Sequence, residues 1–531
     1  MLVFHGYLLR GTGSNVYNAS LAAALVRLGH EVHLVCQERH AFELDFVGTI
    51  GDWDTGALEI EQIRASACTV YRPNIGGVLP VYVPDRYEGI DALPFPELSD
   101  LQLDAYLRAN VDAVAEVVAR ANPDVALANH LVMGPAILAR ALSGTGVPYA
   151  IKIHGSALEY TVKPHPRFLP FAREGIGGAN GVLVGSRHTA ESLWATLEEP
   201  GLPARTRLGP PGVEVSRFHP VERGEALAQL RALADRIAHD ARPLEPRMRC
   251  ERSGQAAFGS AFTRDEAAAA DALADLAQGA AQDDRLVAFV GKLILAKGID
   301  LLLVAWPLVL AEVPTARLAV VGFGRYRAAA ERLVDALSRG DLGAVRALAA
   351  TGRAAEGGPT ARLRLVISFI ERLEASDERE RYITVARRMR ERVVLTGRLE
   401  HDELADLLPL CEAVVVPSTF PESFGMVGVE AAACGALPIS AAHSGLAEVS
   451  RTLGKGLPER VRGLLSFPLG PDVVQSIATC LIGWLGAPPE VRDAARDKLT
   501  ATVATRYSWE GVARGVIAAA RGELEMLDPP A

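Results

Sequence analysis

Cysteine is scarce, with six in 531 residues: Cys36, Cys68, Cys250, Cys411, Cys434 and Cys480. None pair as C-x-x-C. Their scatter suits neither a zinc site nor a disulfide framework, so a reducing compartment is expected. Apolar runs are short. LLLVAWPLVLA after Asp300 falls below the ~20 residues that span a bilayer. The opening MLVFHGYLLRGTGSN has no basic segment followed by a long apolar one, and does not read as a signal peptide. The expectation is a soluble, cytoplasmic protein, with peripheral contact at the inner face of a membrane left open. Positive charge is not in excess either: 55 Lys and Arg stand against 64 Asp and Glu, a net of −9. That argues against a nucleic-acid partner, which calls for a basic footprint.

What is present is apolar, at 49% of the residues, enough for sizeable cores. At ~100–200 residues per domain, the length allows two to four domains. The first ~200 residues alternate between strand and helix patterns. LVFHGYL reads as a buried strand, followed by a Gly-rich turn and a helix from Ser14 to Leu28 with Leu21, Leu25 and Leu28 at helical spacing. EVHLVCQ, PDVALANH, PYAIKIH and NGVLVGS continue the strand series. A second series starts near Arg285 with RLVAFVGKL, ARLAVVGFG, RVVLTGRL, EAVVVPS and ALPIS. Strands alternating with helices predict α/β domains, each a parallel sheet covered on both faces. The expected domains are 1–221 and 285–505, with the closing helix 506–531 returning to the first. Residues 222–284 and about 325–390, rich in Ala, Arg and acidic residues, read as amphipathic or loosely packed helical insertions.

Four segments carry candidate chemistry. In PSTFPESFGMVGVEAAACG, a strand ends in a loop holding Glu422, and a helix begins near Phe424–Gly425 with Glu430 in its second turn. The N–H groups of Gly425, Met426 and Val427 form an anion site at the helix start. Glu422 and Glu430 repel phosphate and are suited to accept hydrogen bonds from sugar hydroxyls; the alternative is a carboxylate that merely complements the helix dipole. In FVGKLILAKGIDLLL, Lys292 and Lys297 flank the turn after a strand, where open α/β sheets bind ligands. They are placed to neutralise a diphosphate, or are two solvated lysines. GTGSN offers Gly11, Gly13 and Asn15 after the first strand, with Asn15 free to hydrogen-bond; an ordinary tight turn is the alternative. His154 and His130 each close a strand, and a histidine there can face a crevice and donate to a substrate hydroxyl, or be structural.

These residues match a family. The chain resembles the retaining glycosyltransferases of family four, which have the GT-B fold of two Rossmann-like domains facing across a cleft. The resemblance runs through GTGSNVYNASLAAALVRLGHEVHLV, IKIHG, GVLVGSRHTAESL, LGPPGVEVSRFHP, VGKLILAKGIDLLL, AVVGFG, LTGRLEHDELADLLPLCEAVVVPS, the Glu422–Glu430 block and RYSWEGVARGVI, in family order. It implies that Glu430 binds ribose hydroxyls and Glu422 the donor hexose. Lys292 and Lys297 would hold the diphosphate, with Phe424, Gly425, Met426 and Val427 near sugar and phosphate. Arg398 and Leu399 would border the base. Gly11, Gly13 and Asn15 would lie near phosphate and acceptor, His154 would touch the transferring sugar, and His130 would belong to the acceptor side. It implies a UDP- or GDP-sugar co-substrate, no other cofactor, no metal, and retention by same-face attack. Lys292 stands where the family commonly has Arg, a point charge in place of a fork. Ser423 replaces a common Gly. Rival readings on this fold are a nucleotide-sugar epimerase, a glycosyl phosphorylase and an inactive sugar-binding module. A nicotinamide enzyme is disfavoured because the fingerprint at Gly11 is broken.

Overall fold

The computed structural model describes residues 1–82, 91–240 and 264–530; Cys250 and part of the expected 222–284 segment lie outside them. The chain forms two compact units, residues 1–214 with the C-terminal segment from Arg506, and residues 215–505.

The strands of the first unit, in chain order, are β1 (Leu2–Phe4), β2 (Val32–Val35), β3 (Thr49–Asp52), β4 (Glu59–Gln62), β5 (Cys68–Arg72), β6 (Val78–Val81), β7 (Asp91–Pro94), β8 (Ala126–Asn129), β9 (Tyr149–Lys152), β10 (Gly181–Val184) and β11 (Thr206–Leu208). One sheet runs β11-β10-β9-β8-β1-β2-β5-β3-β4, and β6 pairs with β7 apart from it. All its pairings are parallel except β3 with β4. Successive residues of β1 alternate between two cores, as the pleat requires. Leu2 and Phe4 face helices Asp100–Ala121, Gly134–Ala141 and Leu169–Gly177, whereas Val3 faces Tyr17, Leu21 and Leu25 of helix Gly13–Arg27 and Trp509, Ala513 and Val516 of helix Trp509–Arg521. The second helix is capped by Ser508, which accepts from Gly511 N–H. It is fixed by Asn180, which donates to Ala520 O at 3.0 Å, and by Glu510 paired with Arg27 at 2.8 Å. Each fully buried Leu, Val or Phe contributes about 1.5–3 kcal/mol by leaving water, so this covering is structural rather than incidental.

The second unit holds β12 (Arg285–Val290), β13 (Ala316–Val321), β14 (Val393–Gly397), β15 (Cys411–Val416), β16 (Leu437–Ala441) and β17 (Ser466–Phe467). All are parallel in the order β14-β13-β12-β15-β16-β17. This is the doubly wound Rossmann order. The apolar run after Asp300 becomes helix Ile299–Glu312, buried on nearly every side. Among the described residues no helix is long and apolar enough to cross a membrane.

Strand order decides where ligands go. In each sheet the chain reverses its direction of growth once, and the crevice lies at the carboxyl ends of the two strands flanking that point. Those strands are β1 and β8 in the first unit, and β12 and β15 in the second.

Several expectations need correction. The first strand stops at Phe4 instead of running through LVFHGYL, because Gly6 at φ +73 turns the chain. Among the described residues the two helical stretches are packed rather than loose, which is the amphipathic alternative of the two. In helix Glu266–Ala281, Leu273, Leu276 and Ala277 are buried, and Asp284 just beyond it pairs with Arg317 at 3.2 Å and Arg392 at 2.5 Å. In residues 325–390, Val366, Phe369, Ile370 and Leu373 are buried, and the Tyr382 hydroxyl donates to Val304 O at 2.8 Å. The five described cysteines are buried and free.

Candidate functional site

At the second unit's reversal point the chain after β12 forms the turn Leu295–Lys297 and enters its helix through Gly298. This turn is tightly enclosed. Gly298 has φ +68, and a Cβ there would meet Pro417 O at 2.0 Å; one on Gly322 would meet Gly291 O at 1.9 Å. Only glycine permits such approach. Thr419 N–H donates to Ala296 O at 2.9 Å, tying the turn to the loop after β15.

That loop carries Glu422. Lys297 Nζ donates to its carboxylate, and Ser418 Oγ donates to the same oxygen at 2.6 Å. Glu422 N–H in turn donates to Ser444 Oγ at 2.9 Å. Burial pushes the Glu422 carboxyl up, but Lys297, Ser418 and His443 outweigh it and hold the group below its ordinary value. Glu422 is therefore an anion with a fixed orientation. The structure brings Lys297 and Glu422 together, 125 residues apart in sequence. Lys292, half-buried, heads the same stretch. The helix opens at Gly425 (φ +105) and spans Met426–Ala433. Phe424 is 8% exposed; Gly425, Met426 and Val427 are half-buried at the helix mouth.

Glu430 is only 3% exposed, and His401 Nε2 approaches its Oε1 at 2.8 Å. Burial lowers the His401 pKa, yet Glu430 and Asp402 outweigh burial and the opposing Arg217, so the net shift is upward. Phe218 packs against the His401 ring at 5.0 Å. Arg398 lies over the Phe323 ring at 5.2 Å and pairs with Glu400 at 2.9 Å, while Leu399 is buried.

The first unit's reversal point holds a chain of amides and imidazoles, buried except for the half-buried His154. Asn18 Nδ2 donates to His5 Nδ1 at 3.0 Å, so His5 Nε2–H donates to Asn15 Oδ1, also at 3.0 Å. Asn129 Nδ2 donates to Asn18 Oδ1 at 2.7 Å, and His154 Nε2–H donates to Asn129 Oδ1 at 2.8 Å. Burial, with His130, Lys152 and His5 nearby, keeps the His154 pKa well below its ordinary value. With a neutral ring and Nε2–H engaged, Nδ1 is the acceptor. The Nε2–H that a histidine there can offer to a substrate hydroxyl is engaged by Asn129 in this network. Asn15 was expected to be free, but it is buried, and its amide also donates to Arg10 O at 2.6 Å. His130 is 2% exposed and packed among His5, Tyr82 and His154. Among the described residues, neither of its ring nitrogens has a hydrogen-bond partner. Gly11 (φ +92) and Gly13 remain exposed beside this network.

Sequence reasoning missed His5, Asn18, Asn129, Ser418 and His401. It also missed Lys152, which is buried beside Tyr17, donates to Gly209 O, and has its pKa lowered to about 7 by burial. His401 stood in a quoted block, but nothing local marked it as Glu430's partner.

Residues 12–212 match the glycosyl transferase 4-like domain, and residues 363–458 match glycosyl transferases group 1. An uncharacterized glycosyltransferase of Methanocaldococcus jannaschii is 24% identical over 47% of this chain and 48% of its own length. The D-inositol 3-phosphate glycosyltransferase of Segniliparus rotundus is 29% identical over 45% of this chain and 40% of its own. The matches thus span about half or less of the length of these curated relatives. Among solved structures, sucrose-phosphate synthase from Thermosynechococcus elongatus aligns with a TM-score of 0.56 at 17% identity, covering 99% of each chain. Anabaena HepE in complex with UDP and glucose aligns with a TM-score of 0.52 at 15% identity, covering 97% of this chain and 98% of its own. At such identities the likeness speaks to the fold. The chain therefore matches a glycosyl transferase 4-like domain in its first unit and glycosyl transferases group 1 in its second, and has the two-unit α/β fold of the GT-B glycosyltransferases.

Proposed function

We propose that the protein transfers a hexose from a nucleotide sugar to an acceptor hydroxyl with retention of configuration, as the family-four enzymes it resembles do. The observation that carries this reading is the Lys297–Glu422 pair at the second unit's reversal point, beside the helix mouth at Gly425. Lys297 and Lys292 hold the diphosphate, with the N–H groups of Gly425, Met426 and Val427 completing the anion site. Glu422 and Glu430 accept hydrogen bonds from hexose and ribose hydroxyls. Arg398, Leu399 and the adjacent Phe323 border the base. HepE was solved with UDP, which favours a UDP-sugar here over a GDP-sugar.

The acceptor hydroxyl attacks the anomeric carbon on the face the diphosphate leaves. The new C–O bond forms as the bond to phosphate oxygen breaks, and the acceptor's proton passes to that departing oxygen. Charge growing on the leaving group is met by fixed lysines and helix N–H groups, which serve where other transferases use a divalent metal. In the first unit, Gly11 and Gly13 let backbone approach a substrate, and His154 is assigned to a sugar, as the resemblance implies.

Thermal unfolding with UDP-, GDP- and ADP-sugars, followed by NMR of the product anomer with chelator present, tests the reading. Stabilisation by one donor and a product of the donor's anomeric configuration are expected. Stabilisation by none, an inverted product, or donor isomerisation without acceptor overturns it.

A further inference from the structure

The helical stretch between β13 and β14 returns a carboxylate to the turn that carries Lys297. Glu356 closes the short turn Arg353–Glu356, set between Gly352 (φ +50) and Gly357 (φ +80). The base of this turn is shut by backbone bonds: Arg353 N–H to Ala361 O at 3.2 Å and Leu363 N–H to Ala349 O at 2.8 Å. A Cβ on Gly352 would meet Ala361 O at 1.8 Å, so the closure is close-packed. From this base, Glu356 Oε1 accepts the N–H of Leu295, 61 residues earlier. Leu295 opens the turn that ends at Lys297. The other side of the turn is held by Thr419 and Phe420 N–H on Ala296 O. Among the described residues, the other hydrogen bonds that tie the backbone of this turn to distant chain come from Thr419 and Phe420, in the loop after β15.

We propose that Glu356 is a positioning residue for the diphosphate: by holding the Leu295 N–H it fixes the turn so that the Lys297 ammonium meets the phosphates. This assigns a role to the 325–390 stretch, and it rests on the reading of Lys297 as a diphosphate ligand. Burial raises the Glu356 pKa, against the Leu295 N–H and the Arg353 and Arg325 charges. A carboxylate kept in such a place needs its hydrogen bond.

The test is a double-mutant cycle on nucleotide affinity, using whichever of UDP, GDP and ADP wild type binds most tightly. Glu356→Ala is expected to weaken binding about tenfold, and Glu356→Gln, which keeps an acceptor oxygen, to restore it to within about twofold. In the Lys297→Ala background, Glu356→Ala is expected to change little, because the two act as one unit. Glu356→Asp withdraws the oxygen by one methylene and is expected to weaken binding too, which provides a second variant if Glu356→Ala folds poorly. Affinity unchanged in both Ala and Asp variants, or effects that simply add in the double variant, overturns the positioning role alone. Wild type that binds none of the three nucleotides overturns the donor reading, and this role with it.

Discussion

His401 Nε2 lies 2.8 Å from Oε1 of Glu430, a carboxylate only 3% exposed. The imidazole is faced by Glu430, Asp402 and Arg217, with Phe218 against its ring, and its pKa is raised above 6.5. A raised histidine pKa means the folded state holds the proton more tightly. The pairing is therefore complete below the ordinary value and is lost as pH climbs through the raised one. Nucleotide affinity is expected to be level on the acid side and to fall across that window, while His401→Asn is flat. Calorimetric titration of UDP between about pH 6 and about pH 9 checks this. A wild-type profile as flat as the variant's removes His401 from donor binding.

Lys297 and Glu430 are expected to be needed for transfer and not for folding. Lys297→Ala and Glu430→Ala should each reduce kcat/KM about a hundredfold or more, with circular dichroism unchanged. Nucleotide release measures the first quantity. Wild-type rates in both variants contradict the assignment.

Two glycines with similar backbone angles should respond differently to alanine. Gly29 (φ +84) has no described residue within 4 Å of an added Cβ, whereas at Gly298 (φ +68) Pro417 O lies 2.0 Å away. Gly29→Ala is expected to cost about 1 kcal/mol, the backbone term alone. Gly298→Ala should cost distinctly more and also weaken nucleotide binding, since the turn bearing Lys297 must move. Equal losses in chemical denaturation would show that the approach to Pro417 is relaxed in solution.

Lys152 links burial to pH. Its folded pKa is lowered to about 7 from 10.5 by burial. Between those values the unfolded chain binds a proton that the folded one does not, so stability from this residue rises with pH across that window. Lys152→Met is expected to raise Tm near neutral pH, and the gain should shrink as pH approaches about 10. Melting curves across this range decide it; a gain independent of pH would mean that Lys152 is charged in the folded state.

Much of the fold was legible locally. Leu21 and Leu25 marked the helix Gly13–Arg27, and the block ending in EAAACG placed a helix close to the observed Met426–Ala433. Strand ends were less so: His5 was absorbed into the first strand because nothing adjacent reveals that its ring bonds Asn15 and Asn18. The stretch 325–390 read as an amphipathic or loosely packed insertion by composition. Its burial depends on Phe369 and Tyr382 meeting partners such as Val304, 78 residues from Tyr382.

The residue types and order alone determined the two parallel-sheet units, the glycine turns and the presence of lysines and carboxylates after strands, because periodicity and turn chemistry act over a few residues. Tertiary structure decided which of those groups meet: Lys297 with Glu422, His401 with Glu430, Glu356 with Leu295, and His154 with Asn129. Each pairing spans 25 to 125 residues of chain. It depends on strand order and on the close backbone approach at Gly298 and Gly322, which no local pattern encodes.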